Sequence, residues 1–149
     1  MPIRNGPASV DDGALVRIRI GPNRQDRHRR RRLGQPIPTA LEILALIDTG
    51  AEATCIDRAI SNRLGFLPKQ YGSTNAPGLG GLAFSAFVEV EFQIPHPTAP
   101  LSQYLVIEDL DVVELDIQNL GCEAILGRDV LSYCVLIYDG VAGSYSLGY

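Results

Sequence analysis

The chain of 149 residues is long enough for one ordinary domain, which excludes architectures with two lobes. Apolar residues make up 46% and charged residues 20%, a globular composition that excludes disorder along the whole chain. The formal net charge of −4 is unevenly distributed, because residues 1–32 contain nine Arg and three Asp whereas the remainder has four cations and fourteen carboxylates. We therefore expect a single domain over residues 1–149, with its basic charge confined to one segment.

The N-terminal part begins with a predicted strand over Ala14–Ile20, in which apolar side chains alternate with two arginines. The segment 22–38 follows and carries six arginines within the nine residues from Arg24 to Arg32. Because like charges at this density repel each other, we predict a solvated, arginine-rich loop insertion there. The alternative is a patch for nucleic acid or an acidic partner. No aromatic residue lies among these arginines to stack on a base, which disfavours nucleic acid.

The central part predicts a buried strand followed by a short helix. Leu41–Ile47 is an almost continuous apolar run, typical of a strand that enters the core, and it ends at Asp48-Thr49-Gly50. A helix is predicted over Asp57–Leu64, because Asp57 can cap its first amides and Gly65 can end it.

The C-terminal half predicts mainly strands. Residues 71–92 are expected to form a hairpin with a glycine-rich tip, and further strands are expected over 103–107 and 124–126. The acidic stretch 108–116 holds five carboxylates without the spacing of a calcium loop, so we predict a solvated loop. A helical turn over 128–133 and a terminal hairpin within 135–149 complete a mainly β fold with one or two short helices.

The cysteines and the N-terminal residues indicate the cellular compartment of the protein. Cys55, Cys122 and Cys134 lie far apart, so no C-x-x-C spacing exists, and an odd count argues against a complete disulfide framework. The first residues lack the pattern of a signal peptide, and no run of eighteen apolar residues occurs. We therefore expect a cytoplasmic protein with reduced thiols that does not associate with a membrane.

Asp48 is the residue whose position most calls for a chemical explanation. A carboxylate directly after an apolar strand is costly to desolvate unless a partner stabilises it. Gly50 allows the backbone to approach and donate an N–H to this carboxylate, and Thr49 supplies a hydroxyl that can brace the loop. An ordinary Asx turn at a strand end remains the alternative.

Three segments in a fixed order resemble the retropepsins, the retroviral-type aspartic proteases. Asp48-Thr49-Gly50-Ala51 is similar to their catalytic loop, and Gly78-Leu79-Gly80-Gly81-Leu82 is similar to the tip of their flap. Ile125-Leu126-Gly127-Arg128 resembles their segment of two apolar residues, Gly and Arg. The resemblance spans residues 15–134 and implies a small, closed, β-barrel-like protomer with a flap hairpin.

The resemblance also implies an aspartic endopeptidase that works as a homodimer on protein or peptide substrates, with no metal or other cofactor. The chain contains one Asp-Thr-Gly, so two copies are needed to bring two Asp48 side chains together. Two carboxylates within hydrogen-bond reach share one proton, which lets the pair activate a water as general base and acid and gives a rate that is bell-shaped in pH. The terminal hairpin 135–149 is expected at the dimer interface, because it would otherwise expose an apolar edge.

The resemblance assigns roles to individual residues. Asp48, Thr49 and Gly50 would be catalytic, with Thr49 bonding to the opposite loop. Substrate contacts would come from the following residues: Ala51, Glu52, Ala53, Gly78, Leu79, Gly80, Gly81 and Ile125. Ile125, Leu126, Gly127 and Arg128 would support the site, with an ion pair between Glu52 and Arg128 behind it.

Two other functions stay open at this point. A peptide-binding or assembly module could keep the same scaffold without proteolysis. Alternatively, residues 48–54 could be the phosphate loop of an actin-like or sugar-kinase ATPase, although such folds need two α/β domains and far more helix.

Overall fold

The computed structural model describes residues 1–76, 80–98, 100 and 103–149. Ten strands, three α-helices and one 3₁₀ turn (Gln118–Leu120) occur in these residues. The strands are β1 Ile3–Ser9, β2 Gly13–Gly21, β3 Leu41–Ile47, β4 Cys55–Asp57, β5 Gln70–Ala76, β6 Gly81–Ile94, β7 Leu105–Leu115, β8 Ala124–Leu126, β9 Val135–Asp139 and β10 Ser144–Gly148. The helices are α1 Arg24–Arg32, α2 Arg58–Leu64 and α3 Arg128–Leu131. None of the helices in the described ranges is both long and apolar enough to cross a bilayer.

Six of the strands close into a ring. Their order is β6-β7-β4-β8-β3-β2, and β2 pairs back onto β6 through Arg19 to Gly21. Strand β5 adds to the outside of β6 as the second arm of the hairpin, and β1, β10 and β9 extend the sheet beyond β2. The ring confirms the small, closed, mainly β fold with a flap hairpin. It is incompatible with the two α/β domains that the ATPase alternative requires.

The ring is filled by the apolar face of each strand. Phe92, Ile18 and Ile20 are fully buried and belong to the principal core, to which Val88 and Leu126 also contribute. Burial of side chains of this size stabilises the fold by about 1.5–3 kcal/mol each. Because these residues alternate with outward-facing polar ones along β2 and β6, the core face of each strand is fixed by its sequence.

Several elements lie where the sequence predicts them. Strands β3 and β8 coincide with the predicted apolar segments, and the terminal hairpin is present as β9 and β10. Helix α2 is capped by Asp57, whose Oδ1 accepts a hydrogen bond from Ala59 N–H at 2.8 Å. Gly65 ends the helix with a φ of 65°, which is the left-handed conformation that glycine tolerates best.

The acidic stretch 108–116 is not the predicted loop, because most of it lies in strand β7. Its carboxylates alternate with buried apolar residues such as Leu110 and Val112, so the stretch has the period of a strand. The outward carboxylates have partners from distant segments: Asp109 accepts from Asn23 at 2.9 Å, and Asp111 accepts from Lys69 at 3.0 Å. The high content of carboxylates in this stretch obscured the alternation of polar and apolar residues that is typical of a strand.

The arginine-rich segment 22–38 is not a loop throughout, because residues 24–32 form helix α1. Asn23 caps the helix by accepting from Asp26 N–H at 2.8 Å. Asp26 in turn binds the guanidinium groups of Arg29 and Arg30, which lie one turn further along. Arg30 is only 9% exposed and donates to Gly65 O at 2.7 Å, which ties α1 to the end of α2. The carboxylate of Asp26 therefore offsets part of the repulsion among the arginines, which was the reason for predicting a loop.

Asp26→Asn is expected to lower the free energy of unfolding by about 2 kcal/mol, because it leaves the buried Arg30 without its ion-pair partner. Although burial opposes it, hydrogen bonds and charge from Arg30 and Arg29 hold the pKa of Asp26 below the ordinary value of an aspartate. This stabilisation is therefore complete above pH 4 and decreases as the pH falls below it. Urea unfolding at pH 7 and at pH 3 measures both effects, with the exposed Asp11→Asn as control. Equal stability of the two variants at pH 7 would contradict the expectation.

Strand β1 has no counterpart in the predicted elements. It contains Asn5, Gly6 and Pro7, which have low strand propensity, but its first five residues pair with β10, from Ile3 opposite Gly148 to Pro7 opposite Ser144, and its last two pair with β2. Tyr149 N–H also donates to Pro2 O at 3.1 Å. The two ends of the chain are thus paired with each other inside one protomer, and β9 is the outer strand of this sheet.

Candidate active site

Asp48 lies where two parallel strands of the ring end together. Strands β3 and β8 pair in parallel up to Ile47 opposite Leu126, and Asp48 N–H donates to Leu126 O at 3.1 Å. The Asp48 side chain is half-buried, and its Oδ1 accepts the predicted hydrogen bond from Gly50 N–H at 2.8 Å. Thr49 and Gly50 are exposed. The carboxylate is therefore held from its own loop and remains open to a partner outside this chain.

The loop that carries Asp48 passes directly over the end of β8. Strand β8 lies between β3 and β4, so residues 48–54 must cross it. A Cβ at Gly127 would lie 2.5 Å from the carbonyl carbon of Ala53 and 2.8 Å from Thr54 N, inside the contact distance of backbone atoms. Glycine at position 127 therefore allows the loop of residues 48–54 to pack against strand β8 beneath it.

Arg128 supports the loop by donating hydrogen bonds to the carbonyl groups of the loop. Its Nη1 donates to Thr49 O at 2.9 Å and to Gly50 O at 3.1 Å, and its N–H donates to Ala51 O at 2.9 Å. The predicted ion pair with Glu52 is wrong: the ion pairs of the described residues do not include these two side chains. Glu52 is exposed, and its solvated carboxylate gains little from pairing, whereas the loop carbonyls need a donor.

Asp129 also supports this loop, in a role that the sequence patterns did not predict. Its carboxylate accepts from Thr54 N–H at 2.8 Å and from the Thr54 hydroxyl at 2.7 Å. The Thr54 hydroxyl in turn accepts from Gly127 N–H at 3.1 Å, and Thr54 is fully buried. The signal in the sequence was a threonine between Ala53 and Cys55 at the start of a buried strand, which needs a polar partner.

The negative charge of this region acts on a neighbouring thiol. Burial raises the pKa of Cys55 to about 12, and the carboxylates of Asp129 and Asp48 add to the shift. The thiol is therefore neutral at physiological pH and packs as an apolar side chain. Within the described ranges, no group of three or more His, Cys, Asp or Glu is close enough to hold a metal ion.

A second apolar cluster connects the flap hairpin to the loop of residues 48–54. Its buried members are Cys55, Val113, Leu115 and Ile117, and its half-buried members are Ala53, Ala76, Ala83, Phe87 and Ile125. Of the half-buried residues, Ala53 belongs to the loop, Ile125 to β8 and the other three to the hairpin. These five side chains are only partly covered by the protein. Ile56, by contrast, is fully buried in the principal core.

The other predicted substrate contacts are distributed along the loop and the flap. Ala51 is half-buried beside Arg128, and Glu52 is exposed. Gly80 and Gly81 start the second arm of the flap with φ angles of 96° and 108°, a conformation that favours glycine. Gly78 and Leu79, predicted at the flap tip, lie outside the described residues.

Comparison with solved structures places this geometry among known folds. A retropepsin-like aspartic protease from Rickettsia conorii is similar over 99% of this chain and 92% of its own, with a TM-score of 0.57 and 14% sequence identity. The EIAV protease complexed with the inhibitor HBY-793 matches over 62% of this chain and 76% of its own, with a TM-score of 0.43 and 25% identity.

Comparison by sequence identifies no further relative. No family model and no curated protein matches the chain. The likeness to the Rickettsia conorii protein extends over nearly the whole of both chains, so it concerns the entire fold. The closed ring, the hairpin beside it and the loop between β3 and β4 all belong to that fold. The chain has a retropepsin-like fold.

Proposed function

We propose that the protein is an aspartic endopeptidase whose active centre forms when two copies bring their Asp48 side chains together. The observation that carries this proposal is the setting of Asp48, half-buried at the end of β3 and bonded by Gly50 N–H. The surrounding loop is fixed by Arg128 and by the close packing over Gly127. This amount of support suits a carboxylate that must keep one orientation.

The proposed chemistry needs two carboxylates and one water. One Asp48 is ionised and accepts a proton from a water between the two subunits, while the protonated Asp48 of the other copy donates to the carbonyl oxygen of the peptide. The water oxygen attacks the carbonyl carbon to give a tetrahedral intermediate. As its C–N bond breaks, the Asp48 that received the water proton donates it to the leaving amine, and a hydroxyl of the intermediate returns its proton to the other Asp48. Thr49 of each copy would bond to the opposite loop and keep the pair symmetric.

The substrate would lie as an extended peptide between the catalytic loop and the flap. The half-buried apolar surface of Ala53, Phe87 and Ile125 favours apolar substrate side chains beside the scissile bond. Gly80 and Gly81 let the flap backbone come close to the substrate backbone, so that main-chain hydrogen bonds can form as in an added strand.

The exposed edge of β9 is the proposed dimer contact. Among the strands that the structure describes, β10 is the one partner of β9, and the exposed residues of β9 include Val135, Ile137 and Tyr138. An edge with unpaired backbone groups and apolar side chains is a template for pairing with another strand. Antiparallel pairing of β9 with its own copy about a two-fold axis would continue the sheet and satisfy both edges.

Ile137→Lys is expected to shift the protein from dimer to monomer and to reduce peptide hydrolysis in proportion, because two lysines would face each other across the axis. Ile137 is 61% exposed, so the fold of the protomer should survive. Sedimentation equilibrium measures the association, and circular dichroism checks the fold.

The control for this variant is Val141→Lys, which adds the same charge in the exposed turn after β9. We expect Val141→Lys to remain a dimer with full activity. A dimer of unchanged affinity in Ile137→Lys would show that copies associate through another surface.

Digestion of a diverse peptide library between pH 4 and pH 8, followed by mass spectrometry, tests the proposed function. We expect new termini at internal peptide bonds, with apolar residues beside the cut. Peptides that bind the dimer but stay intact at every pH would instead favour the peptide-binding module.

A further inference from the structure

Helix α1 presents a basic face to solvent that the proposed chemistry does not use. The exposed residues Arg24, His28, Arg31 and Arg32 recur at positions i, i+4, i+7 and i+8, so they lie on one side of the helix. Asp26 and the buried Arg30 lie on the opposite side and fix the helix to the fold. The basic face is therefore held in place by residues that do not belong to it.

This face borders a groove of about 1000 Å³. The second wall consists of Phe66, Leu67 and Lys69, which follow α2 and precede β5. Six cationic side chains and two carboxylates line the groove, which leaves a net charge of +4 in a chain whose overall net charge is −4. A concave surface of this sign attracts anionic ligands.

Among the described residues, three of these cations have no ion-pair partner. Arg27 pairs with Glu91 at 2.8 Å, Arg29 pairs with Asp26, and Lys69 pairs with Glu89 and Asp111. By contrast, the ion pairs found among the described residues do not include Arg24, Arg31 or Arg32. Their guanidinium groups can each receive a carboxylate through two parallel hydrogen bonds.

We propose that this groove binds an acidic, partly apolar peptide segment of a protein partner. The unpaired guanidinium groups would receive its carboxylates, and Leu67, which is 61% exposed, would contact an apolar side chain of the same segment. The helix is about 14 Å long, a length that four or five extended residues span. The groove therefore fits a short acidic motif.

Nucleic acid fits the groove less well. Phe66 is the one Phe, Tyr or Trp among the described lining residues, and at 9% exposed it offers no platform for a base, which leaves the imidazole of His28 as the one ring for stacking. The carboxylates of Glu89 and Asp111 at the Lys69 side would repel a continuous phosphate backbone. A short peptide can place its own charges away from these two groups.

The groove lies away from the proposed active centre. Strands β2 and β3 are antiparallel, with Ile20 opposite Leu41 at the end near α1 and Leu15 opposite Leu46 at the end near Asp48. The length of β3 separates the two ends by about 20 Å. Binding at the groove can therefore be measured in a protein whose Asp48 is replaced, and it does not depend on proteolysis.

Fluorescence anisotropy with a short fluorescein-labelled peptide of Asp, Glu and Leu tests the proposal, with Asp48→Asn as the host to prevent cleavage. We expect saturable binding that weakens at least about tenfold in the double variant Arg24→Glu and Arg31→Glu. Leu67→Ser should weaken binding of this peptide and leave a peptide of Asp, Glu and Ser unaffected.

The matched control is the double variant Arg17→Glu and Arg63→Glu, which makes the same change in net charge at exposed sites outside the groove. It should bind the acidic peptide as the host does. Equal weakening in both double variants, or no saturable binding, would overturn the proposal. Tighter binding of labelled oligo(dT) than of the acidic peptide would assign the groove to nucleic acid instead.

Discussion

Asp48→Asn is expected to abolish peptide hydrolysis while the fold and the dimer persist. The amide has nearly the shape of the carboxylate and can still accept the hydrogen bond from Gly50 N–H, now 2.8 Å long. It cannot accept a proton from water, so the general base is lost from both subunits. Loss of a general base alone lowers a rate by about 100-fold to 10,000-fold. The initial rate of cleavage of a peptide found by library digestion measures this effect.

The matched control for Asp48→Asn is Glu108→Gln on strand β7. Glu108 is exposed, and its carboxylate takes no part in the ion pairs of the described residues, so the change should leave the rate within about twofold. Asp48→Asn that cleaves as fast as the wild type would remove Asp48 from the chemistry. A rate lowered equally by Glu108→Gln would point to a general loss of negative charge.

Asp129→Asn is expected to destabilise the fold by about 3 kcal/mol, because it breaks a buried charged network. Both carboxylate oxygens accept from Thr54, one from its N–H and one from its hydroxyl. An amide offers one oxygen and turns its NH₂ group towards a donor, so at least one buried donor loses its partner. Urea unfolding followed by circular dichroism measures the loss.

The same variant separates support from catalysis. The molecules of Asp129→Asn that remain folded should cleave peptide more slowly than the wild type. The Thr54 hydroxyl also accepts from Gly127 N–H beneath the loop that carries Asp48, so a displaced Thr54 would disturb that loop. Glu108→Gln again serves as control and should unfold at the wild-type urea concentration. If Asp129→Asn proves as stable as the wild type, the Thr54 network contributes nothing to the fold.

The sequence predicts the elements whose cause is local. Strand β3 follows from an apolar run, α2 follows from its caps, and the setting of Asp48 follows from the residues beside it. Each of these depends on residues close together in the chain, and pattern and spacing register such relations directly.

Strand β7 was missed although its alternating pattern is local, but most of the other features that were wrong or missed depend on residues far apart in the chain. Helix α1 is fixed by Arg30 donating to Gly65 O, and β1 is fixed by pairing with β10. The predicted ion pair of Arg128 was wrong because its guanidinium binds the carbonyls of Thr49 and Gly50. Such partners become identifiable only when the fold brings the segments together, because propensity and charge describe each segment by itself.

Mixing of subunits tests most directly the claim that each copy supplies half of the active centre. Asp48→Asn is added in increasing excess to a fixed amount of wild type, with exchange allowed and peptide saturating. If the centre is shared, mixed dimers are inactive, and a ninefold excess of the variant should reduce the rate to about one-tenth. The double variant Asp48→Asn and Ile137→Lys, which cannot pair, should leave the rate unchanged. A rate that depends on the amount of wild type alone, however much Asp48→Asn is added, would show that a single chain contains the whole centre.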